Sequence, residues 1–231
     1  MCTGLSLTTK DGKHFFGRNL DVPASYGQSV HIIPRNFNWL NVVNGETLAS
    51  KYACIGMGIV VDNHPLLFDA VNEKGLAGGG LNFTHFAKFN ENAIDGKINI
   101  SASDFVYWAL SNFADLNELR QALENLVLTN IPFEHELPVA GLHWMFTDLS
   151  GRSIVIENMA DGMHIHENPV GVLTNDPTFD WHLTNLRQYV TLEKATPAPK
   201  QMGDLLLHPY GHGLGMCGIP GDASPAARVV R

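Results

Sequence analysis

The first twenty residues alternate between apolar and polar side chains, with the period of two that is typical of β-strands. One alternating run covers residues 3–9 and a second covers residues 14–21, with Asp11-Gly12 between them. Asp-Gly between two such runs is a strong signal for a tight β-hairpin. The pattern therefore predicts that the chain opens with a hairpin.

Later segments combine further strands with a few helices. Apolar residues spaced by about 3.6 positions predict helices over Ala102–Phe113 and Leu116–Leu126, the second capped by Asp115, and a third is possible over Trp181–Leu192. The further predicted strands are Ser29–Ile33, Ile55–Val61, Leu66–Ala70, Leu142–Thr147, Ser153–Asn158 and Met163–His166. Turn residues join many of these strands, which favours antiparallel pairing and indicates an α+β fold with antiparallel sheets.

The composition fits one compact domain that covers residues 1–231. Hydrophobic residues make up 45% of the chain and charged residues 16%, which is enough to bury one core without metal or disulfide support. The net charge is −8, and only 15 Lys and Arg residues are spread over the sequence. Because phosphate backbones are bound by clustered cations, nucleic acid is not an expected partner.

Cysteine usage and hydropathy indicate a cytoplasmic protein. Cys2, Cys54 and Cys217 are too few and too scattered for a disulfide framework, which fits a reducing compartment. The latter two have apolar or glycine-rich neighbours and are expected to be buried packing residues. No secretory signal is visible, and apolar stretches such as Ile55–Val61 are far shorter than the roughly 20 residues of a membrane helix. A membrane partner is therefore not expected.

Cys2 is the first candidate nucleophile. Initiator methionines are commonly removed when the second side chain is small, and loss of Met1 would leave an α-amine and a thiol on one residue. Reference pKa values of about 7.7–8.0 for the amine and about 8.5 for the thiol allow the amine to accept the thiol proton. Taken alone, however, a cysteine at position 2 is more often incidental than catalytic.

The predicted hairpin adds charged neighbours to Cys2. A two-residue turn would place Cys2 opposite Asp21, whose carboxylate could orient the new α-ammonium. Arg18 on the same strand would lower the thiol pKa if its cation reached the sulfur. Plain alternation puts Arg18 and Asp21 on opposite faces, so a bulge or bend near Gly17 would be required. A surface ion pair between Arg18 and Asp21 is the alternative interpretation.

Other chemistries find little support, and neither a cofactor nor a metal is expected. Gly213–Gly218 has the spacing of a dinucleotide-binding loop, but a proline follows where the helix should begin. His164 and His166 would share one face of a strand without a complete ligand set. His135-Glu136 with His143 misses the spacing of the zinc metalloproteases.

Distinctive short segments are spread over the whole chain. The opening Met1-Cys2-Thr3 is followed by Phe-Gly-Arg-Asn-Leu-Asp at residues 16–21. Further blocks are Asn72–Leu76, Gly80–Phe83, Met159–Met163, Leu173–Phe179 and Gly218–Asp222 before Arg228. In order and spacing, these blocks resemble the choloylglycine hydrolases, the family of the bile salt hydrolases and penicillin V acylases. Ordered blocks at matching intervals are more specific than any single motif.

The resemblance implies an N-terminal nucleophile hydrolase fold, a four-layer αββα sandwich with two stacked antiparallel sheets. The site residues that it implies are Cys2, Arg18, Asp21, Asn82, Asn175 and Arg228. Cys2 would be the nucleophile, with Arg18 and Asp21 supporting it. Arg228 would add positive charge nearby. The side-chain amide of Asn175 and the backbone N–H of Asn82 would stabilise the oxyanion. Its Asn-Asp-Pro context alone would make Asn175 a turn residue.

The implied reaction is hydrolysis of the amide bond of bile salts conjugated to glycine or taurine, a small-molecule substrate. Asparagine at position 82 resembles the bile salt hydrolases, whereas penicillin V acylases tend to carry tyrosine at this position. Apolar walls for the steroid are expected near Val22–Tyr26, Met57–Pro65 and Asn130–Leu137. The family habit implies a homo-oligomer, a tetramer. Penicillin V, acyl-homoserine lactones or other N-acyl amides are alternative substrates for the same machinery.

The chain departs from the family pattern in several places. Leu20 replaces another apolar residue of some relatives, and the sequence around Pro225 is altered, which makes Arg228 the weakest assignment. Family members continue past the position of Arg231, so a C-terminal truncation is expected, with exposed strand edges and apolar faces. The alternative from a different class is therefore an inactive homologue that acts only as a binding module.

Overall fold

The computed structural model describes residues 2–134 and 137–231. Their contacts divide the chain into two compact units, Met1–Thr178 and Phe179–Arg231. The strands of the first unit are β1 (Thr3–Thr8), β2 (His14–Asn19), β3 (Ser29–Ile33), β4 (Asn38–Leu40), β5 (Thr47–Ala49), β6 (Cys54–Val61), β7 (His64–Asn72), β8 (Ala77–Asn82), β9 (Ile98–Ser101), β10 (Leu126–Thr129), β11 (Leu142–Thr147), β12 (Ser153–Met159), β13 (Gly162–Glu167) and β14 (Val172–Leu173). Its helices are α1 (Phe105–Asn112) and α2 (Leu116–Leu123).

Besides the 3₁₀ helices Arg187–Tyr189 and Leu214–Met216, the second unit contains two α-helices and a short hairpin. These elements are α3 (Phe179–Leu186), β15 (Lys200–Met202), β16 (Leu205–Leu207) and α4 (Pro225–Val230). Strands β15 and β16 pair antiparallel, and helix α3 contacts α4. The expectation of a single domain stays a prediction. Within the described ranges, no helix has both the length and the apolar character that a membrane crossing needs.

A seven-stranded antiparallel sheet organises the first unit, in the order β13-β12-β11-β8-β7-β6-β3. Helix α1 contacts β7 and β8 on one face of this sheet. The core between helices and sheet is aromatic, and its largest side chains are fully buried: Phe105, Tyr107, Trp144 and Phe146. Because side chains alternate along a strand, the neighbouring residues of β11 and β12 point to the other face.

That other face packs on a three-stranded sheet in the order β14-β1-β2. The residues between the two sheets are apolar and fully buried, namely Leu81, Met145, Val155 and Leu173. Gly4 of β1 lies so close to them that an added Cβ would meet Met145 Sδ at 3.3 Å. The first strand therefore lies flat against the large sheet, with Cys2 at its buried start.

The hairpin forms as predicted, but its register differs by one residue. Thr8 pairs with His14 and Gly4 pairs with Arg18, so Cys2 does not lie opposite Asp21. The loop contains three residues instead of two, and Gly12 closes it in the left-handed region at φ 79°. A third loop residue in this conformation is the usual geometry of a three-residue hairpin. The predicted pairing of Cys2 with Asp21 is therefore wrong.

Most other predicted elements are present with shifted ends. Helix α1 begins at Phe105 rather than at position 102, and α2 ends at Leu123, before Leu126 starts β10. Asp115 caps α2 as predicted, since its carboxylate accepts from two backbone N–H groups of the first turn. Cys54 is buried, and burial raises the pKa of its thiol to about 12, which keeps it protonated. Cys217 is exposed, contrary to the expectation.

Candidate active site

Cys2 is buried at the start of β1 and joined to Asn175. The Cys2 nitrogen donates to Asn175 Oδ1 at 2.9 Å, and Asn175 Nδ2 donates to the carbonyl oxygen of Asn82 at 2.8 Å. Asn175 follows β14, the neighbour of β1 in the small sheet. The Cys2 nitrogen needs an acceptor and the Asn82 carbonyl oxygen needs a donor. Only one orientation of the Asn175 amide satisfies both contacts.

Arg18 reaches the sulfur of Cys2 directly from β2. The pairing of Gly4 with Arg18 puts the arginine on the same face of the small sheet as Cys2, so no bulge at Gly17 is needed. Arg18 Nη2 lies 3.8 Å from Cys2 Sγ and 2.5 Å from the carbonyl oxygen of Gly80. The side chain of Arg18 is only 4% exposed. The buried side chain of Arg18 is thus held between the Cys2 sulfur and the end of β8.

Asp69 of β7 forms an ion pair with Arg18, and it is not among the site residues that the sequence predicts. Its Oδ2 lies 3.2 Å from Arg18 Nη1. Burial raises the pKa of the Asp69 carboxyl, and the charge and hydrogen bond of Arg18 oppose that shift. Asp69 interrupts an otherwise apolar strand, and a charged residue in such a run is the signal that could have identified it.

Asp21 and Asn82 line the cavity in front of Cys2. Asp21 follows the end of β2, so strand alternation does not set its direction. At the end of β8, the N–H of Phe83 donates to the carbonyl oxygen of Gly141 in the direction of β11. Successive N–H groups of a strand point to opposite edges, so the N–H of Asn82 points away from β11, as does its carbonyl group.

Arg228 belongs to α4 in the second unit, where its Nε donates to the carbonyl oxygen of Ala223 at 3.1 Å. Cys2, Arg18, Asp21, Asn82 and Asn175 all belong to the first unit. The structure thus brings Cys2 and Arg18 into contact and links Cys2 to Asn82 through Asn175. The assignment of Arg228 stays a prediction.

The cavity in front of Cys2 has a volume of about 650 Å³, which is within the range of small-molecule sites. Arg18 lies beside the Cys2 thiol in this cavity, and Asp21 and Asn82 add polar groups to its lining. The apolar lining comes from residues on several loops and strands, namely Leu20, Val22, Pro23, Ile59, Leu66, Phe133, Leu137, Val139, Leu142 and Trp144. All three wall segments predicted from the sequence contribute residues to this lining. Val106 of α1 and residues between positions 139 and 144 also line the cavity, and the sequence does not predict them.

The histidines do not form a metal site in the described part of the chain. No group of three or more His, Cys, Asp or Glu side chains there is arranged to hold a metal ion. His164 Nε2 bonds to Asp161 Oδ1 at 3.0 Å, and His143 is buried against Glu157. His135-Glu136 lies outside the described residues.

Known proteins match the sequence over its full length. The family model of the linear amide C–N hydrolases, choloylglycine hydrolase family, matches residues 2–231. The bile salt hydrolase/transferase of Clostridium perfringens is 45% identical over 231 residues, which are 100% of this chain and 70% of that protein.

Solved structures share the fold as well as the sequence. The C2A variant of the conjugated bile acid hydrolase from Clostridium perfringens has a TM-score of 0.93 and 44% identity, over 100% of this chain and 70% of that chain. The penicillin V acylase from Agrobacterium tumefaciens has a TM-score of 0.74 and 22% identity, over 100% of this chain and 63% of that chain, which shows the fold alone. The predicted α+β fold with stacked antiparallel sheets is confirmed.

Proposed function

Because the chain belongs to the choloylglycine hydrolase family of linear amide C–N hydrolases, we propose that it hydrolyses the amide bond of bile salts conjugated to glycine or taurine. Relatives named for the hydrolysis of bile salts or conjugated bile acids match the full chain. The observation that carries the proposal is the Cys2 thiol beside Arg18, on the wall of a mainly apolar cavity of about 650 Å³.

The cavity suits an amphipathic substrate. A steroid skeleton would lie against the apolar lining, where burial stabilises by about 25 cal/mol per Å² of apolar surface. The scissile amide would then lie beside Arg18, within reach of Cys2 Sγ. The polar groups of the lining would fix its orientation, as a few placed polar groups do in most ligand sites.

The first half of the reaction forms a thioester. After removal of Met1, the α-amine of Cys2 takes the thiol proton, and the thiolate beside Arg18 attacks the amide carbon. The π electrons of the carbonyl move to its oxygen, and the side-chain amide of Asn175 and the backbone N–H of Asn82 stabilise the resulting oxyanion. When the carbon–nitrogen bond breaks, the α-ammonium protonates the leaving glycine or taurine.

The second half of the reaction releases the bile acid. The α-amine removes a proton from a water molecule that attacks the thioester carbon. The tetrahedral intermediate forms at the same oxyanion donors, the carbon–sulfur bond breaks, and the thiolate recovers its proton. Asp21 supports the cycle by orienting the α-ammonium, a role that its position in the lining of the cavity supports.

Parallel assays test the proposal. Purified protein is incubated with glycine- and taurine-conjugated cholate, penicillin V and an acyl-homoserine lactone, and the release of product is measured. We expect turnover of the conjugated bile salts, and less than about 1% of that turnover in Cys2→Ala at unchanged folding. Preferred cleavage of penicillin V or of the lactone would reassign the substrate. Binding of conjugated cholate without any turnover would support the binding module instead.

Two further expectations belong to this proposal. Cys2, Cys54 and Cys217 are too few and too scattered along the sequence for a disulfide framework, which supports a reducing location such as the cytoplasm. The homotetramer stays a prediction, and the molar mass of the protein in solution, measured by light scattering, tests it.

A further inference from the structure

A buried polar pair lies directly behind Asn175. His143 of β11 and Glu157 of β12 are adjacent to the cross-strand pair Trp144 and Ile156, and both side chains are fully buried. His143 Nδ1 lies 3.0 Å from Glu157 Oε1. Burying ionisable groups is costly unless they are paired and hydrogen-bonded, so a pair at the interface between two sheets needs a physical explanation.

The contacts of His143 determine which of its nitrogens carries hydrogen. His143 Nε2 lies 3.2 Å from the carbonyl oxygen of Thr174, and because that oxygen only accepts, Nε2 must be the donor. One more proton lies between Nδ1 and Glu157, on either the nitrogen or the carboxyl oxygen. In either arrangement Nε2–H donates to Thr174. His166 Nε2 lies 3.5 Å from the other oxygen of Glu157.

His143 contacts the chain neighbours of both proposed oxyanion donors. Thr174 immediately precedes Asn175, and Phe83 immediately follows Asn82. The ring of Phe83 stacks on the imidazole of His143, with centroids 4.4 Å apart and planes inclined by 7°. Phe83 and Thr174 are themselves fully buried, so neither contact is available to solvent. A single imidazole therefore joins the two segments that supply the donors.

We propose that His143, held in place by Glu157, is a positioning residue that fixes Asn175 and Asn82 relative to Cys2. The kinetic part of this inference rests on the proposed function. With the Thr174 carbonyl fixed, the Asn175 side chain starts from a defined point and reaches both the Cys2 nitrogen and the Asn82 oxygen. A misplacement of such a donor by about 1 Å can cost roughly 10²-fold in rate, so its support has a measurable effect.

Substitution of His143 in two backgrounds tests the proposal. His143→Phe keeps a ring to stack on Phe83 but has no donor for Thr174. We expect kcat to fall at least about 10-fold, with KM changed less than about 3-fold. In the Asn175→Ala background the same substitution should have little further effect, because the new ring still stacks on Phe83 and the lost Thr174 contact acts through Asn175. An equal fold-loss in both backgrounds would overturn the proposal.

A matched control uses the other buried histidine–carboxylate pair. His64 Nε2 lies 2.7 Å from Asp104 Oδ1, and the hydrogen bond and ion pair that join these two side chains involve neither Asn175 nor Asn82. Any loss caused by His64→Phe should therefore be the same in both backgrounds. If His143→Phe does not fold, the hydrogen exchange of the Asn175 amide is measured in His143→Asn, whose amide can still bond to Glu157 but is too short to reach Thr174.

A second readout separates this inference from the proposed function. The side-chain NH₂ signal of Asn175 is assigned by its absence from the Asn175→Ala spectrum, and its hydrogen exchange is measured by NMR. We expect exchange at least about 10-fold faster in the His143 variant than in the wild-type chain, because the amide loses its fixed position. Unchanged exchange would overturn the positioning role. If the wild-type chain cleaves no conjugated bile salt, the proposed function fails, and this exchange measurement alone decides the inference.

Discussion

At the scale of single residues, Asn175 uses both polar atoms of its amide to join separate segments. Its oxygen accepts from the Cys2 nitrogen, and its nitrogen donates to the Asn82 carbonyl group. A side-chain amide carries two N–H groups, and we propose that Asn175 also donates to the developing oxyanion. Different substitutions should therefore separate its structural contribution from its catalytic one.

Asn175→Ala removes the donor and the acceptor together. We expect kcat to fall by about 10²–10³ with a smaller change in KM, as for a donor that acts mainly in the transition state. Asn175→Asp is the matched control, since it keeps an acceptor for the Cys2 nitrogen but has no N–H to donate. Steady-state kinetics should show a similar loss in both variants. A change confined to KM would assign Asn175 to substrate binding.

The site residues differ in how far the sequence predicts them. Cys2 and Arg18 are recognisable because they lie in short blocks near the start of the chain, and the structure brings their side chains together. Asp69 is missed because its partner is 51 positions away in the sequence, and only the stacking of the two sheets brings them together. The apolar and polar pattern of a strand predicts which face of the sheet each side chain occupies. It does not predict which residues meet across two stacked sheets, because that depends on the tertiary fold.

At the scale of elements, the hairpin shows how local pattern and register differ. The alternation of residues 3–9 and 14–21 predicts both strands, but a one-residue change in loop length reverses which face each side chain occupies. The three-residue loop closed by Gly12 puts Arg18 on the face of Cys2. The sequence therefore predicts the fold class and most elements, whereas the conformation of a single loop residue decides the geometry of the site.

The glycines of β8 provide a test at this scale. A Cβ on Gly78 would lie 2.2 Å from Cδ1 of Phe146, which is fully buried and has no room to move. We expect Gly78→Ala to lower the free energy of unfolding by about 1–3 kcal/mol, as for other overpacked cores. Gly17→Ala is the control, because nothing lies within 4 Å of its added Cβ. Equal denaturant midpoints for the two variants would contradict this packing argument.

Glu73 links three elements through one carboxylate. It lies in the turn between β7 and β8, and it accepts from the Arg35 guanidinium after β3 and from the Ala53 N–H before β6, the latter at 2.9 Å. The hydrogen bond to Arg35, followed by that to Ala53, lowers the pKa of Glu73 to about 2. A lowered folded-state pKa contributes stability that is present above the unfolded value and lost as the pH falls toward the folded one.

Glu73→Gln should therefore lower the melting temperature at pH 7, and the difference should shrink as the pH falls from about 4.5 toward about 2. Thermal unfolding followed by circular dichroism across this range measures it. In an Arg35→Gln background the effect should be reduced, since the first partner is already lost. A difference that stays constant with pH would argue that the amide disturbs the turn for another reason.

At the scale of the whole molecule, the proposed activity depends on processing of the chain. With Met1 attached, the Cys2 nitrogen is an amide without useful basicity, so the thiol lacks its proton acceptor. We expect protein with Met1 retained, for example through a bulky residue inserted between Met1 and Cys2, to show no hydrolysis of conjugated bile salts. Intact mass measures the processed fraction. Undiminished activity at full retention of Met1 would falsify the N-terminal-nucleophile mechanism.

The hydrogen bond from the Cys2 nitrogen to Asn175 has a consequence for how activity develops over time. An amide nitrogen and an ammonium both donate, so Asn175 Oδ1 can accept from either without moving. Removal of Met1 then converts the Cys2 nitrogen from an amide to a basic amine and leaves its hydrogen bond to Asn175 in place. Activity in a fresh preparation should rise in step with the cleaved fraction and without a lag, so its time course would measure the peptidase that removes Met1 and not the folding of the chain.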